Sequence, residues 1–225
     1  MSAEIPNENP MIFRDRREAG RLLAERLEGY RDEEPIVLAL PRGGVVVASE
    51  VARALGAPLD VVVARKLGAP AQPERAVGAI APGGIRVLDE EILSWLDIPE
   101  DELERIAARE AREMERRMRL FRSGRREADP KSETVILVDD GIATGMTVRA
   151  AIERVRRQEP GRLVMAVPVC ATRTAETLRP EVDELISLKT PPELWAIGYW
   201  YENFEQVSDE EVVELLERHR GAEAR

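Results

Sequence analysis

One short stretch constrains this chain more than any other: an apolar run that ends in two adjacent acids. The run is residues 135–138, and Asp139 and Asp140 follow it directly. Three of its four residues are β-branched, which is typical of a strand buried on both faces in a parallel sheet. A helical pattern of apolar residues starts at Val148. The stretch therefore predicts a strand, a loop and a helix in succession.

The loop between this strand and helix has the composition of a phosphate-binding loop. Residues 141–147 include two glycines and two threonines. Free N–H groups and the dipole of a helix N-terminus attract a phosphate, glycine lets the main chain approach it, and threonine hydroxyls add hydrogen bonds. Two carboxylates would not help to bind a phosphate alone, but they accept hydrogen bonds from vicinal hydroxyls. The pattern favours a ligand such as ribose 5-phosphate.

Other nucleotide-binding motifs do not fit this sequence. The second glycine of the loop is not followed by Lys-Ser or Lys-Thr, which excludes a Walker A loop. No Gly-x-Gly-x-x-Gly follows a predicted strand. From the residues alone, the alternative is an ordinary strand–turn–helix connection with an acidic mouth.

The order of apolar strand, two acids and small-residue loop resembles the phosphoribosyl-diphosphate (PRPP) motif of the type I phosphoribosyltransferases. This resemblance implies an α/β fold with a mostly parallel, doubly wound sheet flanked by helices, a small hood and a flexible loop with a β-hairpin. It implies transfer of the 5-phosphoribosyl group of PRPP to a nitrogenous base, with release of pyrophosphate. Asp139 and Asp140 become the catalytic residues, which bind the ribose hydroxyls. The residues that bind the 5-phosphate become Gly141, Ala143, Thr144, Gly145, Met146 and Thr147.

The resemblance also implies Mg²⁺ as a cofactor, held by PRPP and water rather than by protein ligands. The whole chain is similar to a group of stand-alone bacterial phosphoribosyltransferases whose acceptor is not assigned. Residues 65–68 (Arg-Lys-Leu-Gly) and 195–198 (Trp-Ala-Ile-Gly) carry that similarity. The acceptor therefore stays unidentified.

A second strand–loop–helix unit lies upstream of the motif. The apolar run 36–40 leads into Pro41, Arg42, Gly43 and Gly44 before another helical pattern. One fixed cation and two glycines suit a diphosphate, because the main chain can approach the ligand there. The resemblance assigns Arg42, Gly43 and Gly44 to pyrophosphate binding. A plain turn is the alternative.

Two cations follow the third predicted strand, residues 59–64. They are Arg65 and Lys66, and open α/β sheets bind ligands at the carboxyl ends of their strands. In the resembled family a basic residue at this place faces the diphosphate, and Lys66 is preferred slightly to Arg65. Two charges at a solvent-exposed edge are the alternative. Residues 68–85 are the candidates for the flexible loop, and they contain a predicted hairpin between the runs 77–80 and 85–88.

The predicted organisation is a core of residues 13–190 with a long helical insertion near 98–123, followed by a hood segment and C-terminal helix at 191–221. The insertion has a narrow apolar seam, which packs on the core or mediates a homodimer. The hood segment concentrates aromatic residues in a chain with only 4% of them. These rings stack on the acceptor or pin the segment to the core or to a partner subunit. The possible acceptor-binding residues are Trp195, Tyr199, Trp200 and Tyr201.

Composition limits the remaining functions. The net charge of −10 argues against a dedicated nucleic-acid binder. Cys170 is the one cysteine, so it is predicted to be a buried, inert thiol in a cytoplasmic protein with no internal disulfide. His219 is predicted at the surface. Arg14, Arg16 and Arg17 are predicted to be solvated charges, and the alternative is that one of them reaches a phosphate. No signal peptide or membrane span is predicted.

Two rival functions use the same pocket. A PRPP- or nucleotide-sensing regulator would keep the fold and lose the chemistry. A ribose-phosphate hydrolase or phosphorylase would bind the same sugar phosphate and cleave it differently.

Overall fold

The structure is a computed structural model and describes residues 12–122 and 127–223. Strands and helices alternate along most of the chain. In order they are α1 (Arg16–Arg26), β1 (Ile36–Ala39), α2 (Gly43–Leu55), β2 (Leu59–Val61), β3 (Arg65–Ala69), β4 (Gln72–Ala81), β5 (Ile85–Leu88), α3 (Glu90–Trp95), α4 (Glu100–Arg122), β6 (Thr134–Val138), α5 (Met146–Arg156), β7 (Arg162–Val169), α6 (Thr172–Leu178), β8 (Glu184–Lys189) and α7 (Asp209–Glu223). Short 3₁₀ helices span Glu28–Glu33, Arg179–Glu181 and Ile197–Trp200.

Five parallel strands form the main sheet, in the order β2–β1–β6–β7–β8. Alternate residues of each strand enter different cores. Val37 and Ala39 of β1 pack with residues of α1, α2, α4 and α7, whereas Leu38 packs with residues of α5 and α6. Because both faces are covered, the central strands are continuous apolar runs. The predicted mostly parallel α/β sheet flanked by helices is confirmed.

A second, antiparallel sheet of three strands follows β2, in the order β3–β4–β5. Ala79, Ala81 and Ile85 of this sheet pack on Met146 and Ala150 of α5. The small sheet thus lies against the helix that starts at the predicted phosphate loop. The predicted hairpin between residues 77–80 and 85–88 is confirmed, as β4 and β5.

The predicted secondary structure is wrong for the first part of the predicted flexible loop. The glycine and prolines of residues 68–73 predict a mobile connection, but these residues lie in β3, a tight turn and β4. The pairing of β3 with β4 shifts register on both sides of Gly68. A side chain at Gly68 would lie 2.3 Å from the Pro73 carbonyl oxygen, so the glycine permits a bulge in which the two strands approach closely. Closure of residues 68–85 over a ligand stays a prediction.

The long amphipathic helix is confirmed as α4, and its buried residues include Ile106, Met114 and Phe121. The short helix α3 was not predicted. His219 of α7 is half-buried rather than at the surface, with Nε2 3.0 Å from Ser49 Oγ of α2. Among the described residues, no helix combines the length and apolar character needed to cross a membrane.

Candidate functional site

The carboxyl ends of β1 and β6 form the natural ligand crevice of this sheet. The two strands are neighbours, with Ala39 opposite Val138. After β1 the chain runs through α2 on one face to β2, and after β6 it runs through α5 on the other face to β7. The connections therefore diverge between these two strands, and open α/β sheets bind ligands at such a point. Both predicted ligand loops begin here.

The two loops are in contact with each other. A side chain added at Gly43 would lie 1.9 Å from Oδ2 of Asp140, and one added at Gly44 would lie 2.9 Å from Cα of Asp139. The backbone at 43–44 thus occupies the space directly beside both acids, which only glycine permits. The peptide bond between Pro41 and Arg42 is cis. The structure therefore brings Gly43 and Gly44, which the resemblance assigned to the diphosphate, against the two acids that it assigned to the diol.

The loop after the acids ends in an open helix N-terminus. Gly145 is the N-cap of α5, with φ of +78°, and no side chain in the described chain caps the first amides of the helix. Thr144 is exposed, and Ala143 and Thr147 are half-buried. The hydroxyl of Thr174 in α6 donates to the carbonyl of Ala143 and supports the loop from behind. An uncapped helix start beside a small-residue loop is able to bind an anion.

The two acids differ in their surroundings. Asp140 is 8% exposed, whereas Asp139 is half-buried. Asp139 Oδ1 accepts the N–H of Asp140 at 2.8 Å. Burial raises the pKa of both carboxyls, and the charge of Asp140 raises the pKa of Asp139 further. The Arg16 guanidinium opposes burial at Asp140 and favours its ionised form.

Arg16 contacts the motif acid Asp140, and the sequence prediction missed this contact. It is not a solvated charge, because its Nε lies 2.6 Å from Oδ2 of Asp140 and its side chain is 10% exposed. Its Nη1 donates to the carbonyl of Glu205 at 2.8 Å, and its guanidinium lies 3.7 Å from the centre of the Phe204 ring. One sequence signal pointed to a role, since a cation in the first turn of a helix is unfavourable with the helix dipole.

The three predicted diphosphate cations are held by acids. Arg42 Nη1 lies 3.7 Å from Asp209 Oδ1 at the start of α7. Arg65 and Lys66 were predicted to follow directly on a strand of the main sheet. They are instead the first residues of β3 in the small sheet. Arg65 pairs with Glu110 of α4 at 2.6 Å, and Lys66 pairs with Glu74 at 3.1 Å.

The aromatic residues of the hood segment have different environments. Trp195 and Tyr199 are 84% and 75% exposed, and Trp200 is half-buried. Tyr201 is buried, with its ring centre 5.4 Å from Phe13 and its hydroxyl donating to the Asp140 carbonyl at 2.6 Å. Tyr201 therefore fits the predicted alternative, in which the rings pin the segment to the core, because it joins the hood to the N-terminal segment and to the acids.

The crevice offers carboxylate oxygens of the kind that would suit Mg²⁺. Within the described ranges, no cluster of three or more histidine, cysteine, aspartate or glutamate side chains is placed to hold a metal ion. Asp139 and Asp140 are hard oxygen donors of the kind Mg²⁺ prefers, but Asp140 is already paired with Arg16. Cys170 is buried as predicted, and burial raises its pKa to about 11, which leaves the thiol inert.

Comparison with known proteins agrees with this geometry. A family model described as phosphoribosyl transferase domain matches residues 12–202. Two Mycobacterium tuberculosis proteins provisionally named phosphoribosyl transferases, MT0597 (strain CDC 1551 / Oshkosh) and Rv0571c (strain H37Rv), are each 42% identical over 210 residues, which is 93% of this chain and 47% of theirs. The chain therefore spans about half the length of the curated relatives it matches.

Solved structures share the fold. The protein TT1426 from Thermus thermophilus is 46% identical, with a TM-score of 0.75, and the match covers 92% of this chain and 98% of that one. The AQ2163 protein from Aquifex aeolicus is 11% identical, with a TM-score of 0.50 over 83% of this chain and 85% of that one, which is a likeness of fold alone. With a family model over most of its length and relatives above 40% identity, this chain belongs to the phosphoribosyl transferase domain family.

Proposed function

We propose that this protein transfers the 5-phosphoribosyl group of PRPP to a nitrogenous base and releases pyrophosphate. The observation that carries the proposal is the contact between two loops at the crevice, where Gly43 and Gly44 lie against Asp140 and Asp139. A PRPP molecule needs a diphosphate site and a diol site side by side, and the contact between these two loops supports that arrangement. Membership of the family supports the same reaction.

In this proposal the sugar phosphate lies across the start of α5. The 5-phosphate accepts hydrogen bonds from main-chain amides of Ala143 to Thr147, aided by the helix dipole. Asp139 and Asp140 accept hydrogen bonds from the ribose hydroxyls. When the bond from the sugar carbon to pyrophosphate breaks, positive charge develops on the ring, and the nearby carboxylates stabilise it electrostatically.

The diphosphate is proposed to lie beside Gly43 and Gly44, within reach of Arg42 and Lys66. Lys66 is a better candidate than Arg65 because its partner Glu74 has a 99% exposed side chain, so their ion pair is weak and a ligand anion replaces it readily. The partner of Arg65, Glu110, has a side chain that is only 12% exposed. Mg²⁺, bound through diphosphate oxygens and water, would neutralise part of the diphosphate charge.

The acceptor is proposed to approach from the hood. Trp195, Tyr199 and Trp200 remain the candidates to stack on a base, because each exposes at least part of its ring. A cytoplasmic location and a homodimer stay predictions.

The test measures pyrophosphate release from PRPP with Mg²⁺ and a panel of purine, pyrimidine and other nitrogenous acceptors. Asp139→Asn should reduce kcat by about 10²–10³-fold, because it removes a charge that develops its full interaction only in the transition state. The matched control is Asp32→Asn, since Asp32 is exposed on a 3₁₀ helix. Equal pyrophosphate release by wild type and Asp139→Asn would refute the assignment. PRPP binding without turnover for every acceptor would favour the regulatory sensor instead.

A further inference from the structure

Arg16 is held by three different parts of the protein at once. Its Nε contacts the motif acid Asp140, its Nη1 contacts the Glu205 carbonyl, and its planar face lies on Phe204. A guanidinium uses its rigid fork and its flat face in this way, whereas the ammonium of a lysine has neither. Arg16 therefore joins the first turn of α1 to the hood segment and to the end of β6.

The Arg16–Asp140 pair also lies directly against Gly43, the first residue of α2, which follows the turn at 41–42. A side chain at Gly43 would lie 1.9 Å from Asp140 Oδ2 and 2.8 Å from Arg16 Nε. The ion pair thus forms part of the surface on which Gly43 rests. The Asp140 carboxylate touches the backbone of Gly43 with no side chain in between. Any rotation of this carboxylate away from Arg16 therefore changes the space that is left for the backbone at Gly43.

Burial of this pair needs an explanation beyond stability. Its side chains are only 10% and 12% exposed, and the desolvation of two charges offsets much of their attraction. Arg16 also lies in the first turn of α1, where the helix dipole disfavours a cation. A hydrophobic pair would stabilise this junction as well, so retention of two charges here points to a role in the site.

We propose that Arg16 is a positioning residue of the phosphoribose site: it holds the Asp140 carboxylate beside Gly43 and links both to the hood segment. The inference rests on the proposed function, since it concerns the geometry that binds PRPP. Arg16 acts through Asp140, whose remaining acceptor capacity stays available to a diol because Arg16 contacts it through Nε alone.

An alternative role for Arg16 is a latch that a ligand must displace. The two roles predict opposite results when the side chain is removed, because loss of a latch strengthens PRPP binding and loss of a positioning residue weakens it. A cavity of about 210 Å³ adjoins Arg16, lined also by Asp15, Arg17 and Glu205, yet the Arg16 side chain is held on three sides and only 10% exposed. The arrangement therefore favours positioning.

The test compares Arg16→Gln and Arg16→Lys with the control Arg14→Gln, which removes the same charge two residues earlier from a side chain that is 62% exposed. The first measurement is the Kd for PRPP with Mg²⁺ by equilibrium dialysis. Arg16→Gln should weaken binding about tenfold or more, and Arg16→Lys should weaken it less, because the charge remains and the fork is lost. The Arg14→Gln protein should bind like the wild type.

A double-mutant cycle separates positioning from a general loss of structure. If Arg16 acts through Asp140, the variant with both Arg16→Gln and Asp140→Asn should bind PRPP about as weakly as Asp140→Asn alone. The second measurement is hydrogen exchange of the ligand-free proteins. Residues 41–44 and 203–207 should both exchange faster in Arg16→Gln than in Arg14→Gln, because Arg16 links the two segments.

Each result decides a separate question. Wild-type protein that does not bind PRPP would refute the proposed function, while hydrogen exchange would still decide the link between the segments. Wild-type protein that binds PRPP, with equal or tighter binding by Arg16→Gln, would overturn the positioning role. Additive losses in the cycle, or unchanged exchange at 41–44, would overturn it as well. Should Arg16→Gln fail to fold, Arg16→Lys supplies both measurements.

Discussion

Beside each of the two sheets of this protein, an arginine is paired with a poorly exposed acid, but the two pairs have different neighbours. Arg16 and Asp140 meet at the carboxyl end of β6, against Gly43 at the start of α2. Arg65 and Glu110 join β3 of the small sheet to α4. The first pair adjoins the candidate ligand crevice at the end of β1 and β6, and the second joins two structural elements. The groups around an ion pair therefore distinguish a candidate functional pair from a structural one, because the distances within the two pairs are alike.

The largest expected effect separates these two pairs directly. Asp140→Asn should weaken PRPP binding about a hundredfold, through loss of a charged hydrogen-bond acceptor. It should change the free energy of unfolding far less, because burial already disfavours the ionised form of Asp140 in the folded protein. Glu110→Gln should lower the free energy of unfolding by about 1–3 kcal/mol and leave the Kd for PRPP unchanged. Urea unfolding and equilibrium dialysis measure both quantities. Similar losses of PRPP affinity in the two variants would remove the distinction between the pairs.

A smaller effect should follow from a methyl group at the loop contact. Gly43→Ala pushes the Asp140 carboxylate away from Arg16, and such overpacking should lower the free energy of unfolding by about 1–3 kcal/mol. PRPP binding should weaken about tenfold or more, since the main chain at this position and the acid move apart. Gly29→Ala is the matched control, because no atom lies within 4 Å of its added side chain. Gly43→Ala protein with wild-type affinity would show that the contact does not shape the site.

The smallest effect is a difference in pH dependence between the two regions. Hydrogen bonds from Arg116 and Arg117 lower the pKa of Glu113 in α4 from 4.5 to about 2. Because the pKa of Glu113 is lower in the folded protein than in the unfolded chain, its ionised carboxylate stabilises the fold above pH 4.5. This stabilisation is lost as the pH falls toward about 2 and the carboxylate is protonated. Glu113→Gln should therefore reduce stability at pH 6 and have a diminishing effect between pH 4.5 and 2, measured by urea unfolding.

The acids of the crevice should respond in the opposite sense. Burial raises the pKa of Asp139 and Asp140, so their ionisation costs folding stability as the pH rises above the ordinary carboxyl range.

For Glu113, the contradicting outcome is a Glu113→Gln protein whose loss of stability relative to wild type is as large at pH 2 as at pH 6. Such a result would show that the lowered pKa does not belong to Glu113.

Much of the fold was predictable because its signals are local. The apolar run before Asp139 is a buried strand, and its helix follows the loop as expected. The capping box at Asp15 starts α1, and Ser208 caps the start of α7 through the Glu211 N–H. The seam of α4 was predictable because residues three and four apart share a helix face.

Predictions that depended on distant contacts were less successful. Residues 68–73 contain one glycine and two prolines, yet they lie in two paired strands and the tight turn between them, because Gly68 forms a bulge against Pro73. Arg65 and Lys66 were expected at the end of a main-sheet strand, but the chain turns after β2 and starts the small sheet with them. A local sequence pattern does not predict which strands will pair with each other.

By itself, the sequence determined the buried parallel strands, the acids and small-residue loop at the end of β6, and the family to which that motif points. These depend on the order and periodicity of neighbouring residues, which local chemistry dictates. Folding alone determined which charges meet: Arg16 reaches Asp140 across 124 residues of chain, and Tyr201 is buried against both the N-terminal segment and the acids. The reason is physical, since an arginine is solvated or site-forming according to the groups that tertiary packing places around its guanidinium.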